Sequence, residues 1–388
     1  MRLAPALLES WMQSYYFATE IDIGSSGVEN FSLRQLRDLL GFTHEELDGV
    51  LFQDSQTLGG PGLRRAIAAR LAGGRTDHVM VTHGSTDANF MIMSALLSPG
   101  DEVVILDPCY QQLYGIAEAQ GCALRRWPLR FERGWRPDFR DLDRLLGPAT
   151  KMVIVNFPHN PTGSVLSLLE QERLVAAVAR TGAYLVWDGA FTELTLDRPP
   201  VPEPLGYERT LAMGTLSKAY GLPGLRVGWC IAAPELLDRL VRIRDYTTLH
   251  LSPLVELIAE KAMEHADRLV SPRRRQAREN LEILRDWVAR HAELVEWVPP
   301  AGGVTAFVRL PGCDVDALCH RLAAEERVLL VPGSCFGQPE FARLGFGGPT
   351  PQLAEGLARL ARLLAATAPE RRRPQESGSG LQEIQAHS

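Results

Sequence analysis

Between residues 79 and 232 the chain repeats one pattern: a short apolar, often β-branched run, then a longer stretch with apolar positions at helical spacing. Runs at 79–81, 103–106, 152–156 and 184–187 predict strands, and 211–213 and 227–231 predict two more. Ala88, Met91, Ile92, Ala95 and Leu96 share one helical face before Ser98-Pro99-Gly100 ends it, and residues 167–180 predict another helix. Strands alternating with helices at these lengths predict a mostly parallel sheet covered on both faces. After Pro234 the pattern turns helical, with a long charged helix expected over 272–291. Short strands at 304–309 and 328–331 and a last helix at 351–366 follow. The expected architecture is α/β: a large α/β/α domain over about 45–260, and a smaller α+β domain joining residues 1–44 to 261–368. The polar stretch 369–388 predicts a disordered tail.

Composition narrows the class. With 45% hydrophobic and 23% charged residues over 388 positions, the chain can bury one large core and a smaller one. A net charge of −6 argues against a nucleic-acid or anionic-membrane partner. No apolar run approaches the ~18 residues of a membrane span, and the first sixteen residues carry one Arg and no sustained apolar core, so a cytoplasmic protein without a signal peptide is expected. Six cysteines with no CxxC pair predict reduced, packed thiols, and the scattered histidines predict no metal site. Of 41 basic residues only three are lysines, Lys151, Lys218 and Lys261, so any lysine chemistry has three candidates.

Ligands of open α/β sheets bind at the carboxyl ends of strands, and several predicted strand ends here carry polar residues. Gly84-Ser85-Thr86 opens a helix, either as an ordinary cap or as an anion site of free backbone N–H groups. Asn160 lies in the Pro- and Gly-punctuated loop NFPHNPTG, as a turn residue or a ligand contact. Asp188 closes the apolar strand YLVW, where a carboxylate needs either a partner or a turn to cap. Thr215-Leu-Ser217-Lys218 sets an amine among small and apolar residues, with Arg226 eight positions on. Such surroundings depress an amine's pKa, as Schiff-base chemistry requires, whereas Lys151 and Lys261 read as surface charges. Neither a P-loop nor a Gly-x-Gly-x-x-Gly turn after a strand is present.

In this order, from about residue 55 to 365, these segments resemble the fold-type-I enzymes that use pyridoxal 5′-phosphate (PLP), the aspartate aminotransferase family. The resemblance implies that Gly84, Ser85, Thr86, Thr215, Ser217 and Arg226 bind the cofactor phosphate and that Tyr110 stacks on the pyridine ring. It implies further that Asn160 bonds the phenolate oxygen and Asp188 keeps the ring nitrogen protonated. Lys218 is then the cofactor's Schiff-base lysine and the acid/base that moves the substrate's Cα proton, and Arg343 holds the α-carboxylate. A homodimer is implied as well.

Two departures stand out. Phe191 occupies the place of a family tyrosine, and Asp54 the place of another contributed across the dimer, which weakens the case for an ordinary transaminase. The stretches SSGVENFS, NFPHNPTG, WDGAFTELTLDRPP and GTLSKAYGLPGLRVGWC are similar to a narrower group, the capreomycidine synthases of peptide-antibiotic and streptothricin-type pathways. That likeness implies a β-hydroxylated arginine, with one hydroxyl or two, that loses water and closes a cyclic guanidine. With Arg343 and Asn160, the residues Gly27, Glu29 and Asp54, from segments that reach the active site in the family, are the expected contacts for the substrate, the two acids for its guanidinium. The competing expectation is an amino-acid aminotransferase using an oxo-acid acceptor. A PLP-fold transcriptional regulator would need a basic N-terminal DNA-binding domain, and the first fifty or so residues are not basic.

Overall fold

The computed structural model describes residues 2–196 and 201–367, so the tail expected over 369–388 lies outside the described residues. Seven strands form the main sheet: β1 (Val79–Thr82), β2 (Glu102–Asp107), β3 (Ala123–Pro128), β4 (Thr150–Asn156), β5 (Tyr184–Asp188), β6 (Thr210–Thr215) and β7 (Gly228–Ile231). Their order is β1-β7-β6-β5-β4-β2-β3, parallel throughout except β7, which runs against both neighbours. The inner strands are buried on both faces, which is why they read as unbroken apolar runs. Strand β3 is the exception. It lies on an edge, exposes half of its residues, and its ALRRWP sequence gave no apolar signal.

Two apolar layers sandwich this sheet, one including Met91, Ile92, Ile105 and Val186, the other Leu106, Val155, Leu185 and Trp187. A second sheet of four strands contains β8 (Glu296–Trp297), β9 (Thr305–Arg309), β10 (Val331–Pro332) and β11 (Phe341–Gly345), ordered β10-β11-β9-β8. The single strand expected at 328–331 is divided: Val328–Leu329 pairs instead with Ile21–Asp22 from the N-terminal segment. The long helix begins earlier than the proline suggested, at Ala266, and runs to Arg290 with Pro272 inside it. Pro272 sits in the second turn, so it forfeits one backbone bond near an end where few are made.

What matters for the site is how the N-terminal segment is pinned. Helix α1 (Leu7–Tyr15) puts Leu8 and Trp11 into the core. Its Trp11 Nε1 donates to the Leu330 carbonyl at 2.9 Å, and Leu7 N donates to Gln111 Oε1 at 2.9 Å. The chain after Ile21–Asp22 then crosses in front of β11, so close that a Cβ on Gly345 would lie 1.8 Å from the Ser25 carbonyl oxygen. Only glycine fits there. No helix among the described residues is long and apolar enough to cross a membrane.

Candidate active site

The carboxyl ends of β1, β2, β4, β5 and β6 open into one cavity of about 720 Å³. Ser85, Thr86, Tyr110, Asn160, Asp188, Thr215, Ser217, Lys218, Arg226 and Arg343 all line it, with Gly27 and Glu29 from the N-terminal segment. Gly84 lies directly behind the wall: at φ +77°, an added Cβ would be 2.7 Å from Arg226 Nη2. Asp54 is not brought in. Its side chain is 98% exposed and pairs with His250 at 3.1 Å, since the 51–55 segment packs against the 246–250 turn rather than the strand ends.

At one end of the cavity, helix α2 (Gly84–Leu96) begins with no side chain capping it, so its first-turn N–H groups have no protein acceptor of that kind. The hydroxyls of Ser85 and Thr86 therefore belong to the first turn and not to a cap. The Thr215 and Ser217 hydroxyls lie 2.9 Å apart, and Arg226 Nη1 reaches Ser217 Oγ at 3.3 Å. Arg226 itself is held at φ 54°, a left-handed conformation costly for arginine, which carries its guanidinium back over Gly84. Unused donors at a helix start, two hydroxyls and a cation make an anion site.

At the floor, Asp188 is buried, and desolvation pushes its pKa up to about 6, against smaller opposing pulls from the Ala190 N–H and the Lys218 charge. Its Oδ1 accepts from Ala190 N at 3.0 Å, so it does cap the following turn. A carboxylate still raised after that bond is short of a cation. Lys218 Nζ donates to Ser26 Oγ at 2.9 Å and lies 5.6 Å from the centre of the Phe191 ring. Burial, then the nearby Arg343 charge, bring the amine down to about 8, with Asp188 opposing. Lys151 and Lys261 sit elsewhere, one over Tyr184 and the other paired with Glu46 at 3.2 Å.

Arg343, on β11, is 2% exposed yet keeps a planar fork in place: Nε and Nη2 donate to the Gly24 carbonyl at 3.1 and 2.9 Å, and Nη1 to Asn160 Oδ1 at 3.2 Å. Asn160 is positioned in turn by its own N–H, bonded to Asn156 Oδ1 at 2.7 Å. Burial lowers the guanidinium only to about 10, so it stays charged at neutral pH. The fork suits a carboxylate. Of the two acids expected to meet a guanidinium, Glu29 lines the cavity but is engaged by Arg273 Nη1 and Gln276 Nε2, each at 3.1 Å.

Two residues overlooked in the sequence also line the cavity. Ser26 holds the Lys218 amine, and Glu9 of α1 accepts the Tyr110 hydroxyl at 2.5 Å and Gln112 Nε2 at 3.0 Å. The residues present thus fit PLP in kind: an anion cradle, a carboxylate lacking a cation, an aromatic wall at Tyr110 and an amine of lowered pKa.

Comparison with known proteins agrees. The family model for class I and II aminotransferases matches residues 44–360. The chain is 48% identical to capreomycidine synthase of Streptomyces vinaceus over 96% of each protein. Among solved structures it is similar to the PLP-dependent cyclase OrfR, with a TM-score of 0.89 and 44% identity covering 94% of this chain and 98% of that one. A PLP-dependent aminotransferase from Streptococcus suis superposes with a TM-score of 0.90 at 31% identity, covering 94% and 99%.

Proposed function

The chain belongs to the class I and II aminotransferase family, and on that footing we propose that it is a PLP-dependent cyclase that removes water from 3-hydroxyarginine, or a further hydroxylated arginine, and closes the cyclic guanidino amino acid capreomycidine or a near relative. What supports cyclisation over amino transfer is the nearly full-length likeness to capreomycidine synthase, joined to the likeness to cyclase OrfR. PLP, when bound, supplies an electron sink at the substrate's Cα. Lys218, Asp188 and Arg226 are the residues that would hold it, through its aldehyde, its ring nitrogen and its phosphate respectively.

The protein's own groups then have distinct tasks. Arg343 binds the α-carboxylate through its fork, which fixes the Cα–H bond relative to Lys218. The Lys218 amine, its pKa lowered toward neutrality by burial, takes that proton and returns it at the end. Between those two transfers the β-hydroxyl leaves with a proton as water, and a guanidine nitrogen forms a bond to Cβ while losing its own proton. The net change is loss of one water, with no oxidant or second substrate. Phe191, where a tyrosine is common in the family, removes one hydroxyl donor from the cofactor's phenolate edge.

The working unit we propose is a homodimer. Leu51, Phe52, Tyr246 and Leu249 are exposed on adjoining segments that also carry Asp54, and from there Asp54 serves the cavity of a second copy. The test of function is direct: purified protein with PLP and 3-hydroxyarginine, no oxo acid, and product read by mass spectrometry and NMR. A ring-closed product lighter by one water, absent with Lys218→Ala, supports the proposal. No turnover until an oxo acid is added, followed by amino transfer, overturns it in favour of an aminotransferase.

A further inference from the structure

A hydroxyarginine has a charged side chain as well as a carboxylate, and the cavity's acidic groups can be sorted by what already engages them. Four carboxylates line it: Glu9, Asp22, Glu29 and Asp188. Asp188 faces the cofactor's place and Lys218. Glu29 is neutralised by Arg273. Asp22 Oδ1 ties down the Gly24 and Ser25 N–H groups at 2.9 and 2.8 Å, holding the loop that crosses the cavity. Glu9 is different. The two hydrogen bonds to its Oε1 come from neutral groups, Tyr110 and Gln112, and its Oε2 is buried with no hydrogen-bond partner.

A buried carboxylate oxygen without a donor costs free energy that folding does not return. The two donors on Oε1 fix the carboxylate's orientation, while the bonds of Leu7 and Trp11 fix the helix that carries it. The result is a rigidly held carboxylate that forms no ion pair with any described cation. Both Lys218 and Arg343 feel that charge, which places Glu9 within electrostatic reach of the amine and of the carboxylate fork.

We propose that Glu9 receives the substrate's guanidinium on its carboxylate, and that this contact makes the cavity selective for cationic over neutral amino-acid side chains. The proposal rests on the hydroxyarginine reading above. With the α-carboxylate on Arg343 and the guanidinium on Glu9, the substrate is held at both ends, with Cα and Cβ between them near Lys218. A guanidinium bound through one carboxylate oxygen keeps a second nitrogen free to turn toward Cβ.

The test compares two ligands of nearly equal shape on the PLP-loaded protein: L-arginine, which has no hydroxyl to lose, and L-citrulline, its neutral counterpart. Dissociation constants come from isothermal titration calorimetry. Glu9→Gln is the variant, because its amide oxygen still accepts from Tyr110 and Gln112 while the charge is gone. The wild type should prefer arginine by about 10- to 100-fold, the worth of one charge-assisted contact. Glu9→Gln should bring the two ligands within about 3-fold while leaving citrulline's own constant nearly unchanged. Retained preference for arginine in the variant overturns the proposal. So does equal weakening of both ligands, which would mark Glu9 as a prop for Tyr110, and so does a wild type without preference. If 3-hydroxyarginine fails to cyclise but Glu9→Gln abolishes the arginine preference, the cyclase reading falls and the Glu9 assignment stands.

Discussion

Asp188→Asn should make the cofactor-free protein more stable at neutral pH while damaging its use of the cofactor. The buried carboxyl has its pKa raised from 3.8 to about 6, chiefly by desolvation. The folded state therefore binds this proton more tightly than the unfolded chain does. The stability linked to it is complete below pH ~4 and is lost as pH rises through ~6. Relative to a neutral group, the charged carboxyl therefore costs the folded state about 3 kcal/mol at pH 7.5 and about 1.5 kcal/mol at pH 5. Asparagine removes the charge, and its side-chain oxygen still accepts the Ala190 N–H that Asp188 Oδ1 holds at 3.0 Å. Urea unfolding of the apo-protein and the variant at the two pH values measures the difference. With PLP present the sign reverses, because the carboxylate's cationic partner is then in place, and PLP affinity of the variant should fall by about 10-fold or more. An apo-variant no more stable than wild type at pH 7.5, or an advantage that grows on acidification, would refute the reasoning.

Other outcomes follow from the same geometry. Lys218→Ala should abolish turnover and the covalent attachment of PLP, read as the missing mass increment after borohydride reduction. Arg343→Lys replaces a fork by a point charge that cannot serve both Gly24 and Asn160, so kcat/KM should fall by about 10- to 100-fold, mostly through KM. Gly84→Ala forces a Cβ at φ +77° to within 2.7 Å of Arg226 Nη2. Its PLP affinity, measured by equilibrium dialysis, should drop by about 10-fold or more. Phe191→Tyr offers a donor to the phenolate edge, which should move the pH titration of the bound cofactor's visible absorbance acidward by about one unit.

Most of the sheet could be read from the chain because strands buried on both faces leave an unmistakable apolar run, as in MVIVN and YLVWD. Strand β3 could not, since it is the edge left uncovered and Trp127 is its one buried side chain, whereas the other edge, β1, is buried throughout. Proline misled at residue 272, where a helix long enough to absorb one lost bond simply continues. The polar strand ends stood out against apolar neighbours, so Asn160, Asp188 and Lys218 were legible. The acids expected at the guanidinium were harder. A sequence shows that Glu29 and Asp54 are charged but not that Arg273 and His250 already face them. Glu9 had a signal that went unused: Leu8, Trp11, Met12 and Tyr15 recur at helical spacing around it. Its meeting with Tyr110, 101 residues away, is a fact of tertiary packing and has no local trace.

Helix α1 belongs to neither sheet, yet it forms one wall of the cavity, fastened by Leu7 to the short helical turn at Gln111 and by Trp11 to Leu330, between two strands. The groups suited to the cofactor all come from later in the chain, from strand ends that also support the core. Inheritance can therefore act on the two largely separately, the Tyr110 hydroxyl on Glu9 being where they meet. Substitutions in a nine-residue helix can retune which side chain is welcomed without touching the anion cradle, Asp188 or Lys218. For a lineage of enzymes that share one reactive apparatus, a short N-terminal helix is an inexpensive place to diverge, and shuffling that segment between relatives is a practical route to new substrate ranges.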